Sequence, residues 1–262
     1  MPSPPPDNRE LVRERFTRTA AEFAKFSLTA RAQEAELLVN LAALRGDELA
    51  LDLACGPGTF TRAFAPRVKF ILGVDLTPAL LAQAREASVK AGLKNAGFAL
   101  GDATRIPLPE WTVDLAVCAY SLHHFTDAEV ALRELSRVVT PGGRVAIVDL
   151  VAPEEPPRAA ANNEIERARD ASHATTLRQS DLRRMLFDAG LRVRAWQVTE
   201  RLRDFDEWMQ IAGWRRGDTA YERTRSLMEA AMHHDAAGFH PRLVGGNIEW
   251  MQTSVFLVAE RK

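Results

Sequence analysis

The chain has only two cysteines, Cys55 and Cys118, in 262 residues, which excludes a disulfide framework and leaves no Cys/His spacing typical of a zinc site. Such usage suits a reducing compartment. No stretch approaches the roughly 18 consecutive apolar residues of a membrane-crossing helix, so lipid contact is confined to the periphery. A dominant charge is missing as well. Thirty-four Lys+Arg against 35 Asp+Glu leave a formal net charge of −1, without the positive field that phosphate backbones attract. Nucleic acid is therefore not an expected partner. The beginning, Met1-Pro2-Ser3-Pro4-Pro5-Pro6, lacks the basic and apolar segments of a secretory signal and reads as a loose, cytoplasmic end.

What is present is the composition of a globular protein with a sizeable core: 46% hydrophobic residues and 26% charged. The length suits one α/β domain with elaborations. Three segments are expected: a helical cap over 1–48, an alternating core over 49–152, and further helices and strands of the same domain over 153–262, entered through Pro153-Glu154-Glu155-Pro156-Pro157. In the cap, Val12, Phe16, Ala20 and Phe23 share one helical face and a second periodic run covers Arg31 to Ala43, which predicts two helices. Phe16, Phe23 and Phe26 read more readily as a buried face than as a lid.

From Leu49 to Leu150, apolar runs at Ala50–Ala54, Phe70–Asp75, Gly97–Gly101, Val113–Tyr120 and Arg144–Asp149 alternate with helical stretches, the order of a parallel sheet covered on both faces. Thr77-Pro78 reads as a helix start, Thr126 with Glu129 as a capping box, and Pro141-Gly142-Gly143 as the turn closing that helix. Beyond Pro157 come a polar helix through Asp170, a helix from Ser180 to Ala189, a strand at Arg192–Val198, a helical insertion over 204–240, and a final β-type run at Ser254–Ala259.

Leu51-Asp52-Leu53-Ala54-Cys55-Gly56-Pro57-Gly58 runs from a strand into a glycine turn and then a helix, where backbone N–H groups can approach a ligand closely. The next strand ends in Asp75, 19 positions past Gly56, near the spacing at which an acid meets a nucleotide ribose. Thr61 stands where a dinucleotide fingerprint requires its third glycine, so a nicotinamide dehydrogenase is disfavoured. Asp75 and Asp102, taken singly, could equally cap the turns after their strands. The two cysteines read as packing residues.

The Asp-Leu-Ala-Cys-Gly-Pro-Gly turn, Asp75, Gly101-Asp102-Ala103 with Ile106-Pro107, and Pro141-Gly142-Gly143 together resemble the ordered motifs of class I S-adenosylmethionine-dependent methyltransferases. Within that superfamily the chain looks most like the branch of ubiquinone/menaquinone-biosynthesis C-methyltransferases. The resemblance implies a Rossmann-like, seven-stranded, mostly parallel sheet with an antiparallel last strand, a helical cap and an insertion before that strand. It also implies S-adenosylmethionine as cofactor. Ala54, Gly56 and Gly58 would contact the methionine part through the backbone, and Asp52 its amino group through water. Asp75 would take both ribose hydroxyls, Leu76 would lie against the adenine, Asp102 and Ala103 would bond its edge, and Ala119 would offer a carbonyl to the amino end. Ala54 stands where that family more often has glycine, and its methyl is small enough for little effect.

Transfer of a methyl group to carbon, oxygen or a protonated amine needs a base, for which histidine is suited. His123 and His124 follow the fourth strand directly, where the quinone C-methyltransferases usually carry Arg-Asn. Arg167-Ala168-Arg169-Asp170-Ala171-Ser172-His173 resembles an Arg-Asp-Pro-Ser-His stretch of the same branch, so Asp170 could orient an imidazole or meet a substrate hydroxyl, and His173 is a rival base. His233, His234 and His240 have no suitably spaced carboxylate or cysteine, and no metal is expected. Trp208 and Trp214 in the insertion suit a small aromatic or quinone-like acceptor. The expected activity is its C- or O-methylation by a monomer or homodimer; a non-catalytic cofactor-binding regulator is the alternative.

Overall fold

A computed structural model describes residues 8–262. The proline-rich start, and the expectation attached to it, lie outside these described residues. Three helices open the chain: α1 (Asn8–Arg18), α2 (Ala20–Ala30) and α3 (Ala32–Leu41). The two expected helices are thus three, because the chain bends at Thr19 and again at Arg31, where the backbone leaves helical angles.

The core alternates as its apolar runs predict: β1 (Leu49–Leu53), α4 (Thr59–Phe64), β2 (Phe70–Asp75), α5 (Pro78–Lys90), β3 (Ala96–Leu100), β4 (Val113–Ala119), α6 (Ala128–Val138) and β5 (Val139–Leu150). Then follow α7 (Pro156–Arg169), α8 (Gln179–Asp188), β6 (Leu191–Asp204), α9 (Phe205–Ile211), α10 (Thr219–Ala231), β7 (Arg242–Val244) and β8 (Asn247–Arg261). Sheet order is β3-β2-β1-β4-β5-β8-β6, with β1 to β5 parallel and β8 antiparallel to both its neighbours. This is the Rossmann-like, mostly parallel sheet anticipated. An eighth, three-residue strand, β7, is added as a hairpin on β8.

Alternation along the strands divides the core between two faces. Leu51, Leu53, Ala116, Cys118, Val145 and Ile147 pack under α6 and α8 on one side. Ala50, Leu115, Val117, Ala146 and Val148 pack under α3 and α4 on the other. Leu132 and Leu135 of α6 are fully buried, each contributing about 1.5–3 kcal/mol through removal from water. The cap of α6 is Asp127, whose carboxylate accepts from Val130 N–H at 3.0 Å, rather than Thr126. Thr77 stands at the N-cap of α5 without a side-chain capping bond, and Pro78 at the first helical position supplies the helical φ. Pro141-Gly142-Gly143 lies inside β5, not at the helix end, because α6 passes directly into extended backbone at Val139.

Two features place the site. The strand order reverses between β1 and β4, opening a crevice at the C-terminal ends of those strands. The β6–β8 pair also runs on past the end of β5, to Asp204 opposite Glu249. That extension carries a third core in which Phe205, Trp208, Tyr221, Phe239 and Trp250 pack with Ile165 of α7.

Candidate active site

Above the crevice lies a cavity of about 360 Å³ lined by the turn after β1, by Asp75-Leu76-Thr77, by Asp102-Ala103 and by Ala119. Of the nine residues expected to hold the cofactor, eight line it: Asp52, Ala54, Gly56, Asp75, Leu76, Asp102, Ala103 and Ala119. Gly58 does not. Its φ of +75° and the 3.1 Å that would separate an added Cβ from that of Ala84 make it the residue that lets α4 start close against α5. Ala54 has φ 54°, a left-handed conformation in which an alanine is strained by about 1–2 kcal/mol. The methyl that looked harmless by size is thus costly by conformation.

The acids are held ready. Asp75 accepts from Gly56 N–H and Thr77 N–H, both at 2.8 Å, which fixes both carboxylate oxygens and leaves each a further lone pair. Asp52 is buried and accepts from Thr61 Oγ at 2.5 Å. Burial, aided by the neighbouring Asp75 and opposed by Thr61, pushes Asp52 up to about 7, and burial likewise raises Asp75. Neither has an ion-pair partner among the described residues. Two buried carboxylates outside any ion pair, with Arg62 acting on Asp52 only through space, fit a ligand that brings an ammonium and vicinal hydroxyls, as the expected cofactor does. Burial works against charge on Asp102, but hydrogen bonds from Thr104 and pairing with Arg9 at 3.0 Å outweigh it and hold the carboxyl below its ordinary value.

A second, inner cavity of about 50 Å³ lies beyond a partition made by Phe16, Phe23, Arg31, Tyr120 and His124, which face both spaces. Phe16 and Phe23 meet edge to face at 5.1 Å, so these rings are neither simply core nor simply lid: α1 and α2 contribute a wall. His123, Asp170 and His173 all line the inner cavity, so the fold brings the three candidate catalytic residues together.

Their environments separate them. His123 Nδ1 lies 2.5 Å from Asp149 Oδ1, while Asp149 Oδ2 accepts from Ser121 and Leu122 N–H. Burial opposes charge on Asp149, but His123 and the Leu150 and Leu122 amides prevail and hold it below its usual value. His173 Nε2 donates to Asn163 Oδ1 at 2.8 Å, and burial followed by His123 and His124 drives its value down to about 2. His124 falls to about 3, through burial and then His123. Both rings are thereby neutral and weakly basic. Asp170 touches no imidazole; it pairs with Arg15 at 2.7 Å and accepts from Ser172 Oγ at 2.6 Å.

Asp149 escaped sequence reasoning, although a carboxylate ending the apolar run Val145–Val148 was a usable signal. Thr61, read only as a residue that excludes a pyrophosphate, proves to be the partner of Asp52. The buried Arg15 and Arg203 gave no signal, since an arginine in an amphipathic or alternating stretch normally faces water. Cys55 and Cys118 are buried, with thiols pushed up by burial, as packing residues are. Trp208 lines the inner cavity, whereas Trp214 donates to Arg169 C=O at 2.7 Å behind it. Among the described residues no three His, Cys, Asp or Glu side chains form a metal-holding group, and no helix is long and apolar enough to cross a membrane.

Residues 51–147 match a family model described as a methyltransferase domain. The Bacillus subtilis protein YcgJ, named an uncharacterized methyltransferase, is 29% identical over 218 residues, 83% of this chain and 84% of its own. Its crystal structure superposes with a TM-score of 0.83 at 26% identity, covering 88% of this chain and 98% of that one. The demethylmenaquinone methyltransferase of Deinococcus radiodurans is 39% identical over 108 residues, which span 39% of this chain and 43% of that relative. A geranyl diphosphate C-methyltransferase of Streptomyces coelicolor, solved with S-adenosyl-L-homocysteine, shares the fold at 16% identity and a TM-score of 0.62, over 88% of this chain and 79% of its own. Sheet order, matched domain and near full-length likeness agree: the chain carries a methyltransferase domain at residues 51–147 on the fold of the class I methyltransferases.

Proposed function

We propose that this enzyme methylates a small aromatic acceptor at carbon or oxygen, with His123 as the base. The observation that carries this reading is the His123–Asp149 pair at 2.5 Å, seated in the inner cavity directly behind the cofactor space. S-adenosylmethionine is the cofactor, and when bound it supplies a methyl group on a sulfonium whose positive charge vanishes on transfer.

The chain's own contribution is to position and deprotonate. Ala54, Gly56, Asp52, Asp75, Leu76, Asp102, Ala103 and Ala119 would hold the cofactor, with Asp52 facing its ammonium and Asp75 its ribose hydroxyls. Tyr120 and His124, in the partition, would bracket the acceptor in line with the departing methyl. Asp149 fixes the His123 tautomer with Nδ1 donating, which leaves the Nε2 lone pair to take the acceptor's proton. The resulting imidazolium is stabilised by the buried carboxylate. Asp170 then serves as the anchor of Arg15, and His173 as a strut between α7 and the 170–176 loop. The quinone-like branch of acceptors is supported by the named relatives only over the cofactor-binding half.

Methyl-labelled S-adenosylmethionine incubated with host-cell extract and protein tests this. Label should enter a small organic acceptor, and His123→Ala should slow transfer by about 10²–10⁴-fold while S-adenosylhomocysteine affinity stays near wild type. Asp149→Asn should also slow transfer. Full transfer by His123→Ala would remove the histidine from the mechanism, and label confined to macromolecules would remove the small acceptor.

A further inference from the structure

The inner cavity is small, but its wall is cationic. Arg15 of α1, Arg31 between α2 and α3, Arg169 of α7 and Arg203 of β6 line it against two carboxylates, Glu166 and Asp170. These four guanidinium groups come from parts of the chain far apart in sequence, so their meeting is a property of the fold. Arg15 and Arg203 are 9% and 5% exposed.

The carboxylates present do not satisfy them. Asp170 is engaged by Arg15, by Ser172 N–H and by Ser172 Oγ. Glu166 stands 3.7 Å from Arg169, beyond a good hydrogen bond. Arg203 gives one hydrogen bond, from Nη1 to Gln252 Oε1 at 2.8 Å, while its Nε and Nη2 find no acceptor. Arg15 Nη1 is likewise without an acceptor, and its Nε, although 2.7 Å from Asp170 Oδ2, is not directed along a hydrogen bond. Buried guanidinium N–H groups left in this condition are destabilising unless an anion meets them. The arginines also oppose one another: burial first, then neighbouring Arg201, lowers Arg203 to about 10, and burial, with Arg15 adding to it against Glu166, lowers Arg169 to about 10. The other acids near this wall, Glu34 and Glu207, reach Arg203 only through space, and Glu34 pairs instead with Arg201 at 3.6 Å.

The geometry points to an acceptor that carries a carboxylate, held by Arg203 and Arg15 at the floor of the inner cavity while its body lies against the Phe16–Tyr120–His124 partition. A planar guanidinium offers paired N–H groups that match a carboxylate's two oxygens. The cavity volume of about 50 Å³ suits such a group rather than a second ring. The aromatic rings of the partition, which face both spaces, then place the reacting atom at the other end of the molecule, near the cofactor. Substrates of this class are small aromatic acids, not neutral quinones. This inference rests on the assignment of the inner cavity as the acceptor site.

Isothermal titration of the full-length protein, saturated with S-adenosylhomocysteine, against benzoate, phenyl phosphate and benzyl alcohol provides the test. Benzoate should bind, benzyl alcohol should not, and Arg203→Gln should weaken benzoate at least tenfold, with Arg203→Lys intermediate because charge is kept but the fork is lost. Phenyl phosphate binding in place of benzoate would overturn the carboxylate and assign the same arginines to a phosphate ester. Heat from neither anion, or equal benzoate affinity in wild type and Arg203→Gln, would overturn the oxyanion site altogether. Because Arg203→Gln could disturb folding, thermal unfolding is run alongside: benzoate should raise the melting temperature of the wild-type complex and leave that of Arg203→Met unchanged. A benzoate-induced rise of the same size in Arg203→Met counts against the proposal. Titration of S-adenosylhomocysteine alone separates the two levels. Its failure to bind would strike the cofactor-site assignment, whereas its binding with no anion heat would strike the oxyanion site and leave the cofactor site standing.

Discussion

The outer and inner cavities share a wall and differ in almost everything else. The outer one is built from the turns after β1, β2, β3 and β4 with α1 and α2 closing one wall, and its buried charges are acids outside any ion pair. The inner one is assembled from α1, α7, β6 and the turn after β4, and its buried charges are arginines whose N–H groups Asp170 and Glu166 meet only in part. A chain that keeps buried acids on one side of a partition and incompletely satisfied arginines on the other is arranged to receive a cationic group on one side and an anionic group on the other. Both sets cost stability in the free protein, which ties recognition to folding.

The sharpest way to break the comparison is on the outer side. Asp75→Ala should weaken S-adenosylhomocysteine by about a hundredfold or more in calorimetry, since hydrogen bonds to a charged group contribute about 1.5–3 kcal/mol each and two ribose hydroxyls are served. The same substitution should leave benzoate affinity for the cofactor-free protein unaltered; a parallel loss would mean that the two cavities are not independent.

A smaller effect concerns pH. Asp52 stands at about 7 in the folded protein against an ordinary value of 3.8, so it takes up a proton on folding in the window between those values. Stability of the ligand-free protein should therefore fall as pH rises through that window, with the contribution absent above it. An ammonium in the cavity favours the ionised form, so S-adenosylhomocysteine should bind about tenfold more tightly at pH 8 than at pH 6. Asp52→Asn should flatten that dependence. A pH-independent affinity in the wild type would place the ammonium elsewhere.

The smallest effect is conformational. Ala54→Gly should raise stability by about 0.5–1 kcal/mol, the left-handed strain relieved being partly offset by glycine's larger unfolded entropy. A loss of stability in denaturant titration would show that the Ala54 methyl makes packing contacts worth more than the strain.

Much of the fold was legible because the apolar runs from Leu49 to Leu150 have the period and spacing of buried parallel strands. Asp75 and Asp102 were legible because the first ends β2 and the second follows β3 by two residues, where chain direction alone puts them at the sheet's ligand-binding edge. Legibility failed where a residue's meaning depends on its neighbours in space. Thr126 and Asp127 are both good caps, and only the backbone angles chose Asp127. His123, His124 and His173 have one side-chain chemistry, and only Asp149 and Asn163 made one of them a candidate base and another a strut.

Periodicity determined the alternating elements from Leu49 to Leu150 and the places of Asp75 and Asp102 after their strands, because these parts are adjacent in the chain, while strand number, direction and cofactor roles came with the family resemblance. Tertiary structure alone decided the acceptor side. Residues from 15 to 252 meet there across long separations, and a charge's partner, burial and basicity exist only after the chain has closed around it.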